Sequence, residues 1–182
     1  LNNVTGDDAE EIGKLPRFAV TYTASGQLAN VILAAVGRSP NKAMTDERVR
    51  KAFIMAIDRE KLVRQLVPGG KNAEIAKALC LSSTANCVPT TTPYPYNPTE
   101  AKRLLVEAGY PNGFDMTLSV FQPYAYFAEA ISGELRKVGI RASIEPLSLT
   151  VYTKKRGAGE LTAFYSAYPS AALPMMSNLM DV

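Results

Sequence analysis

"YNPTEAKRLLVEAGYPNGFDMTLSVF", Tyr96–Phe121, is a helix that stops and a strand that starts. Asn97 is placed to cap the helix, Pro98 sits at its first position, and Glu100 completes a capping-box arrangement. Ala101, Leu104, Leu105 and Ala108 recur at helical spacing and predict one buried stripe. Gly109 offers the left-handed residue past the helix end, Tyr110 folds back on the last turn, and Pro111 prevents continuation. Asn112-Gly113 then turns the chain into the strand Phe114–Phe121.

Downstream the same alternation repeats. "YAYFAEAISGELRKVGI", Tyr124–Ile140, predicts a helix with Phe127, Ala130, Ile131, Leu135 and Val138 inward. "RASIEPLSL", Arg141–Leu149, is a strand whose proline places it near a sheet edge. "TVYTKKRGAGE" is a short helix or turn, "LTAFYSAY" (Leu161–Tyr168) another strand, and "PSAALPMMSNLMDV" a helix cut short. Strands alternating with helices through short connections predict an α/β fold, a mixed sheet with packed helices.

Upstream, "TDERVRKAFIMAIDREKLVRQL", Thr45–Leu66, reads as two short amphipathic helices. Thr45 or Asp46 caps the first, and Val49, Ala52, Phe53, Ala56 and Ile57 form its apolar stripe. Asp58 caps the second, with Leu62, Val63 and Leu66 as its buried face, and Pro68-Gly69-Gly70 ends it. The Arg and Lys residues of this pair are assigned to a solvated face. "RFAVTYTA", Arg17–Ala24, has the alternation of a strand. "LANVILAAV", Leu28–Val36, is either a buried strand or a helix, which periodicity alone does not decide. Lys71–Tyr96 carries few helix or strand signals and reads as a long ordered loop.

Composition narrows the chemistry. A net charge of +3 with interleaved acids and bases argues against a dedicated nucleic-acid surface. No apolar run approaches the ~20 residues of a membrane span. The opening "LNNVTGDDAEEIG" is a polar stub and no signal peptide, so the signal of an exported parent lies upstream or was removed. There is no His, which removes His-based acid/base catalysis and His metal ligation. Without a phosphate-cradling Gly-rich loop or a paired nucleophile and base, no enzyme, cofactor or metal site is expected. Cys80 and Cys87 are too widely spaced for a CxxC pair and too few for zinc. They are either a disulfide stapling the long loop or two free thiols.

The motifs, in their order, resemble a known family. "DERVRKAFIMAIDR" matches through Asp46, Arg48, Val49, Arg50, Ala52, Ala56, Ile57, Asp58 and Arg59. "NPTEAKRLLVEAGYPNGF" matches through Pro98, Ala101, Lys102, Leu104, Leu105, Glu107, Ala108, Gly109, Tyr110, Pro111, Gly113 and Phe114. Both are similar to the extracellular solute-binding proteins of family 5, the substrate-binding components of peptide, nickel and related ABC importers. The resemblance implies one lobe of a two-lobed periplasmic binding protein, with residues 1–182 a single domain forming most of the C-terminal lobe. It implies a peptide or peptide-like solute held between lobes, an inner-membrane ABC permease and the protein's own N-terminal lobe as partners, and no nucleic acid. It also implies an exported, periplasmic setting, which favours the Cys80–Cys87 disulfide. In the family the matched motifs build the lobe and are not the binding site. The alternative is a ligand-sensing module of a transcriptional regulator.

The ligand face is sought in "FYSAYPSA", Phe164–Ala171, which is similar to the family's W-x-x-D-Y-P-D-P strand. Tyr168 and Pro169 match. Phe164 stands in place of Trp, Ala167 in place of the Asp that pairs with a free amino group, and Ser170 in place of the second Asp. Phe164, Tyr165, Tyr168 and Ser170, with Gln122 and Tyr124 after the preceding strand, are the expected ligand-binding residues. Aromatic and hydroxyl groups without the carboxylate suit a solute recognised by stacking and neutral hydrogen bonds.

Overall fold

The computed structural model describes residues 6–21, 27–67, 73, 75–76 and 94–169. Helix α1 (Gly6–Gly13) is followed by strand β1 (Gln27–Leu33), a 3₁₀ turn (Ala43–Thr45), and helices α2 (Glu47–Met55), α3 (Arg59–Leu66) and α4 (Pro98–Glu107). Then come β2 (Phe114–Phe121), a 3₁₀ turn (Gln122–Tyr124), α5 (Ala125–Arg136), β3 (Ile140–Leu147), α6 (Leu149–Ala158) and β4 (Ala163–Pro169). The strands form one mixed sheet in the order β1-β4-β2-β3. β2 is parallel to β3 and β4, while β1 is antiparallel to β4.

The α4–β2 stretch folds as its residues dictate. The Asn97 side chain accepts from the Glu100 N–H at 3.0 Å, and Pro98 opens the helix. The capping box is only half made. The Asn97 N–H, which Glu100 would have satisfied, already donates to Met55 O, and Glu100 turns instead to Arg103. At the far end Gly109 has φ +90°, its N–H reaches Val106 O, and the Tyr110 N–H reaches Leu105 O at 2.8 Å. These two bonds are a Schellman closure. Ala101, Leu104 and Leu105 are buried and Ala108 partly so.

The main core lies between the sheet and α2, α4 and α5. Val49, Ala52, Phe53, Ala56 and Ile57 all enter it. They meet Phe114, Met116, Leu118 and Val120 of β2 and Ile131 and Leu135 of α5. Asp46 and Asp58 are the caps, accepting from the N–H of Arg48 and Lys61. A smaller cluster on the opposite face packs Tyr152 of α6 against Leu147, Leu161 and Phe164.

The structure departs from the sequence reading in several places. Residues 18–21 form no strand: Phe18 and Val20 are exposed, so their alternation has no partner to bury against. The polar stub holds the helix α1, which buries Ala9. Residues 28–33 are strand, not helix. Leu62, Val63 and Leu66 of α3 are only half-buried. On α5 Ile131 and Leu135, with Val138 just beyond, are buried as expected, and Ala128, Ser132 and Glu134 are buried too, Ser132 donating to Ala142 O (2.8 Å); Phe127 and Ala130 are half-buried. The arginines of the family motif lie on the outer side of the pair, Arg48 exposed and Arg50 and Arg59 half-buried, yet each also binds main-chain oxygen. Arg48 donates to Glu107 O (2.7 Å), Arg50 to Met44 O and Thr45 O (2.8 and 2.9 Å), and Arg59 to Tyr94 O (2.6 Å). Cys80 and Cys87, Pro68-Gly69-Gly70 and the segment 170–182 lie outside the described residues.

Candidate functional site

The strand order locates a reversal point of the sheet. From β2 the chain crosses through α5 to β3 on one side of β2. It then crosses through α6 to β4 on the other side of β2. α5 packs on the main-core face and α6 on the opposite face. The two crossovers therefore part at the carboxyl end of β2. In open α/β sheets this reversal point is where ligands bind, because the diverging connections leave a gap there.

The residues delivered to that end are aromatic. β2 ends at Phe121, and the 3₁₀ turn presents Gln122 and Tyr124 before α5 starts. Gln122 is exposed and Tyr124 half-buried. The Tyr124 ring lies 5.6 Å from that of Tyr165 on β4 and 6.0 Å from Phe121. Phe127 stacks on Tyr165 at 5.1 Å, and Tyr126 continues the series at 4.4 Å from Phe127. The cluster thus runs from the exposed Tyr126 to Tyr165, which is 5% exposed. Burial, reinforced by Tyr126 and Tyr124, pushes the Tyr165 phenol well above the ordinary tyrosine range. Burial and Tyr124 push the Tyr126 phenol up as well. Both stay protonated at neutral pH and offer neutral O–H groups.

The expected ligand-binding residues separate in space. Tyr165 and Tyr124 come together, with Gln122 beside them. Phe164 lies on the other face of β4, buried under α6 with its ring edge-on to Tyr152 at 6.0 Å. Alternation along a strand forces this: Phe164 and Tyr165 are neighbours and cannot share a face. Tyr168 is placed as a register position opposite Leu28, and Ser170 lies outside the described residues. Ala167, where the family's Asp would stand, packs against the main core. Tyr126, Phe127 and Phe121 were not among the expected residues. Their signal was present: an aromatic run directly after a parallel strand lies at the strand's carboxyl end.

A polar cleft of about 380 Å³ opens on the α6 face between Asp115, Thr117, Ser143, Glu145 and Lys155. Ser119 donates to Glu145 at 2.7 Å and Lys155 pairs with the same carboxylate. Burial raises the Glu145 carboxyl, but these two bonds outweigh it and hold it below its ordinary value. Within the cleft Glu145 and Lys155 thus neutralise one another, while Asp115 at its edge pairs with Arg141. Among the described residues no group of three or more acids or thiols could hold a metal ion, and no helix is long and apolar enough to cross a membrane.

The sequence profile of the bacterial extracellular solute-binding proteins, family 5 Middle, matches residues 1–181. The chain belongs to this family. It is 30% identical over 148 residues to heme-binding protein A of Haemophilus influenzae, covering 72% of this chain and 25% of that protein. It is 36% identical over 109 residues to the glutathione-binding protein GsiB of Escherichia coli, covering 57% of this chain and 20% of that one. The chain therefore spans a quarter or less of the length of these relatives. Among solved structures, the periplasmic binding protein DppA of Helicobacter pylori in complex with the peptide STSA superposes with a TM-score of 0.76 at 25% identity. That match covers 96% of this family 5 chain and 33% of DppA. The α/β fold is that of part of one lobe of these two-lobed proteins.

Proposed function

We propose that the protein containing this chain is the solute receptor of an ABC importer. It captures a peptide or peptide-like solute between two lobes outside the cytoplasm and hands it to the membrane permease. Residues 1–182 supply most of the C-terminal lobe. The observation that carries this reading is the aromatic cluster at the carboxyl end of β2, joined there by Tyr165 of β4, at the reversal point of the family fold. The named relatives are binding proteins for heme and glutathione, which favours a receptor over the regulator alternative and over an enzyme.

On this reading Tyr124, Tyr165, Gln122 and Tyr126 meet the solute, together with Tyr168 of β4 and with Ser170, which follows that strand in sequence. Rings and neutral hydroxyl or amide groups there recognise π surfaces and amide or carboxylate oxygens. With Ala167 in the Asp position, an unmodified amino terminus has no carboxylate partner from this strand. Calorimetry on the full-length protein tests both points, with glutathione, hemin, the dipeptide Met-Leu and N-acetyl-Met-Leu as solutes. Binding of at least one solute, weakened about tenfold or more by Tyr124→Ala, is expected. Tight binding of Met-Leu that is lost on acetylation would show an acidic anchor for the amino group. Failure of every peptide-like solute would remove the solute class proposed here.

A further inference from the structure

β4 is held on both sides for only part of its length. Its pairing with β2 runs from Ala163 to Tyr165 and stops, where Val120 faces Tyr165. Its pairing with β1 continues to Pro169, which faces Gln27. Beyond Tyr165 the sheet therefore narrows to a two-stranded ribbon, Gln27–Asn30 against Ser166–Pro169. A ribbon of two strands is marginal without support from a third strand or a packed helix.

Two observations meet where the ribbon departs. Tyr152 of α6, 5% exposed, donates its hydroxyl to the Tyr165 carbonyl at 2.9 Å, a bond from outside the strand ladder. The next cross-strand pair is Asn30 with Ser166, and Asn30 Oδ1 is buried with no hydrogen-bond partner among the described residues. A buried acceptor left unpaired costs free energy, so the first ribbon pair is weakened where support from β2 ends.

We propose that Tyr152 is a positioning residue for the solute-facing end of β4, its hydroxyl fixing the strand at the residue where the sheet becomes a ribbon. It touches no solute. It sets where Tyr165 and the residues after it stand relative to β2, and it opposes the loosening caused by the unpaired Asn30 oxygen. The link to solute rests on the receptor reading above; the link to β4 does not.

Hydrogen exchange on the intact full-length protein separates the two. Tyr152→Phe keeps the ring and its packing on Leu147, Leu161 and Phe164, and removes the hydroxyl that donates to Tyr165 O. Amides of Ser166–Tyr168 and Leu28–Asn30 should exchange roughly three- to tenfold faster, with β2 and α5 unchanged. Asn30→Leu, which removes the unpaired acceptor at similar volume, should slow exchange at the same amides. Uniformly faster exchange in all strands, or no change at the end of β4, would overturn the proposal. For any solute bound by the unmodified protein, Tyr152→Phe should weaken affinity a few-fold, with Tyr124 and Gln122 intact. Absence of solute binding in the unmodified protein counts against the receptor reading alone, because the exchange result decides the role of Tyr152.

Discussion

Arg50 shows what residue patterning misses. Its helical phase puts it opposite the buried stripe of α2, which predicts a solvated side chain worth within ~0.5 kcal/mol. The side chain instead folds back to two carbonyls of the preceding turn, Met44 and Thr45. Hydrogen bonds from a charged donor are worth more, so Arg50→Ala should cost about 1.5–3 kcal/mol in chemical denaturation. Phe53→Ala, which empties a fully packed site, should cost ~3–5 kcal/mol in the same assay. Phe53 was legible because apolar spacing reports burial. Arg50 was not, because its partners are main-chain oxygens that no side-chain pattern records. The residues proposed to face solute divide the same way. The place of Tyr124 after a strand, beside Tyr165, was legible, whereas Phe164 was grouped with Tyr165 although adjacent strand residues face apart. For Cys80 and Cys87, thiol titration in denaturant without reductant should find no free thiol in protein from an oxidising compartment. Two thiols per chain would leave the pair unbonded.

Among the elements, α3 and α5 are joined by a buried acid. Glu134 of α5 is 5% exposed at its side chain, with Lys61 of α3 at 3.1 Å and Lys137 at 2.5 Å. Burial pushes the Glu134 carboxyl up, but hydrogen bonds from Lys137 and Lys61 outweigh it and hold the group below its ordinary value. A carboxylate depressed in the folded state adds stability above its unfolded pKa, about 4.3. That stability is lost as pH falls through the lower folded value. Glu134→Gln should therefore cost about 1–2 kcal/mol at neutral pH, and the gap to the unaltered protein should close below roughly pH 4. A gap constant with pH in denaturation would mean that the charge is idle. The starts of β2 and β3 are joined more rigidly. A Cβ on Gly113, at φ +69°, would stand 1.8 Å from Gly139 O. Gly113→Ala should cost ~3 kcal/mol or more and lower the thermal midpoint accordingly. The Asn-Gly turn was legible in sequence, but its close approach to Gly139 was not, since it depends on the β2–β3 register.

For the whole molecule, the α/β class, the three capped helices α2, α3 and α4 and the edge position of β3 were legible, because local chemistry and apolar period agree there. The sheet order was not, since pairing across the chain leaves no local mark. One lobe offers one wall of a cleft, and a solute held on a single wall keeps much of its surface in water. The chain alone should therefore bind any solute of the full-length protein at least about a hundredfold more weakly in calorimetry. Equal affinity would place the whole site within this chain. The arginine contacts of the helical layer have a further consequence. Glu107 O, Met44 O, Thr45 O and Tyr94 O neither gain nor lose a proton in acid, and a guanidinium keeps its charge. The Lys61–Glu134 joint does titrate. Acid should therefore take the lobe apart in a set order. The flank of α3 comes away from α5 first, swinging about its anchored first turn at Arg59, while α2 and α4 stay bolted together until the core itself gives way.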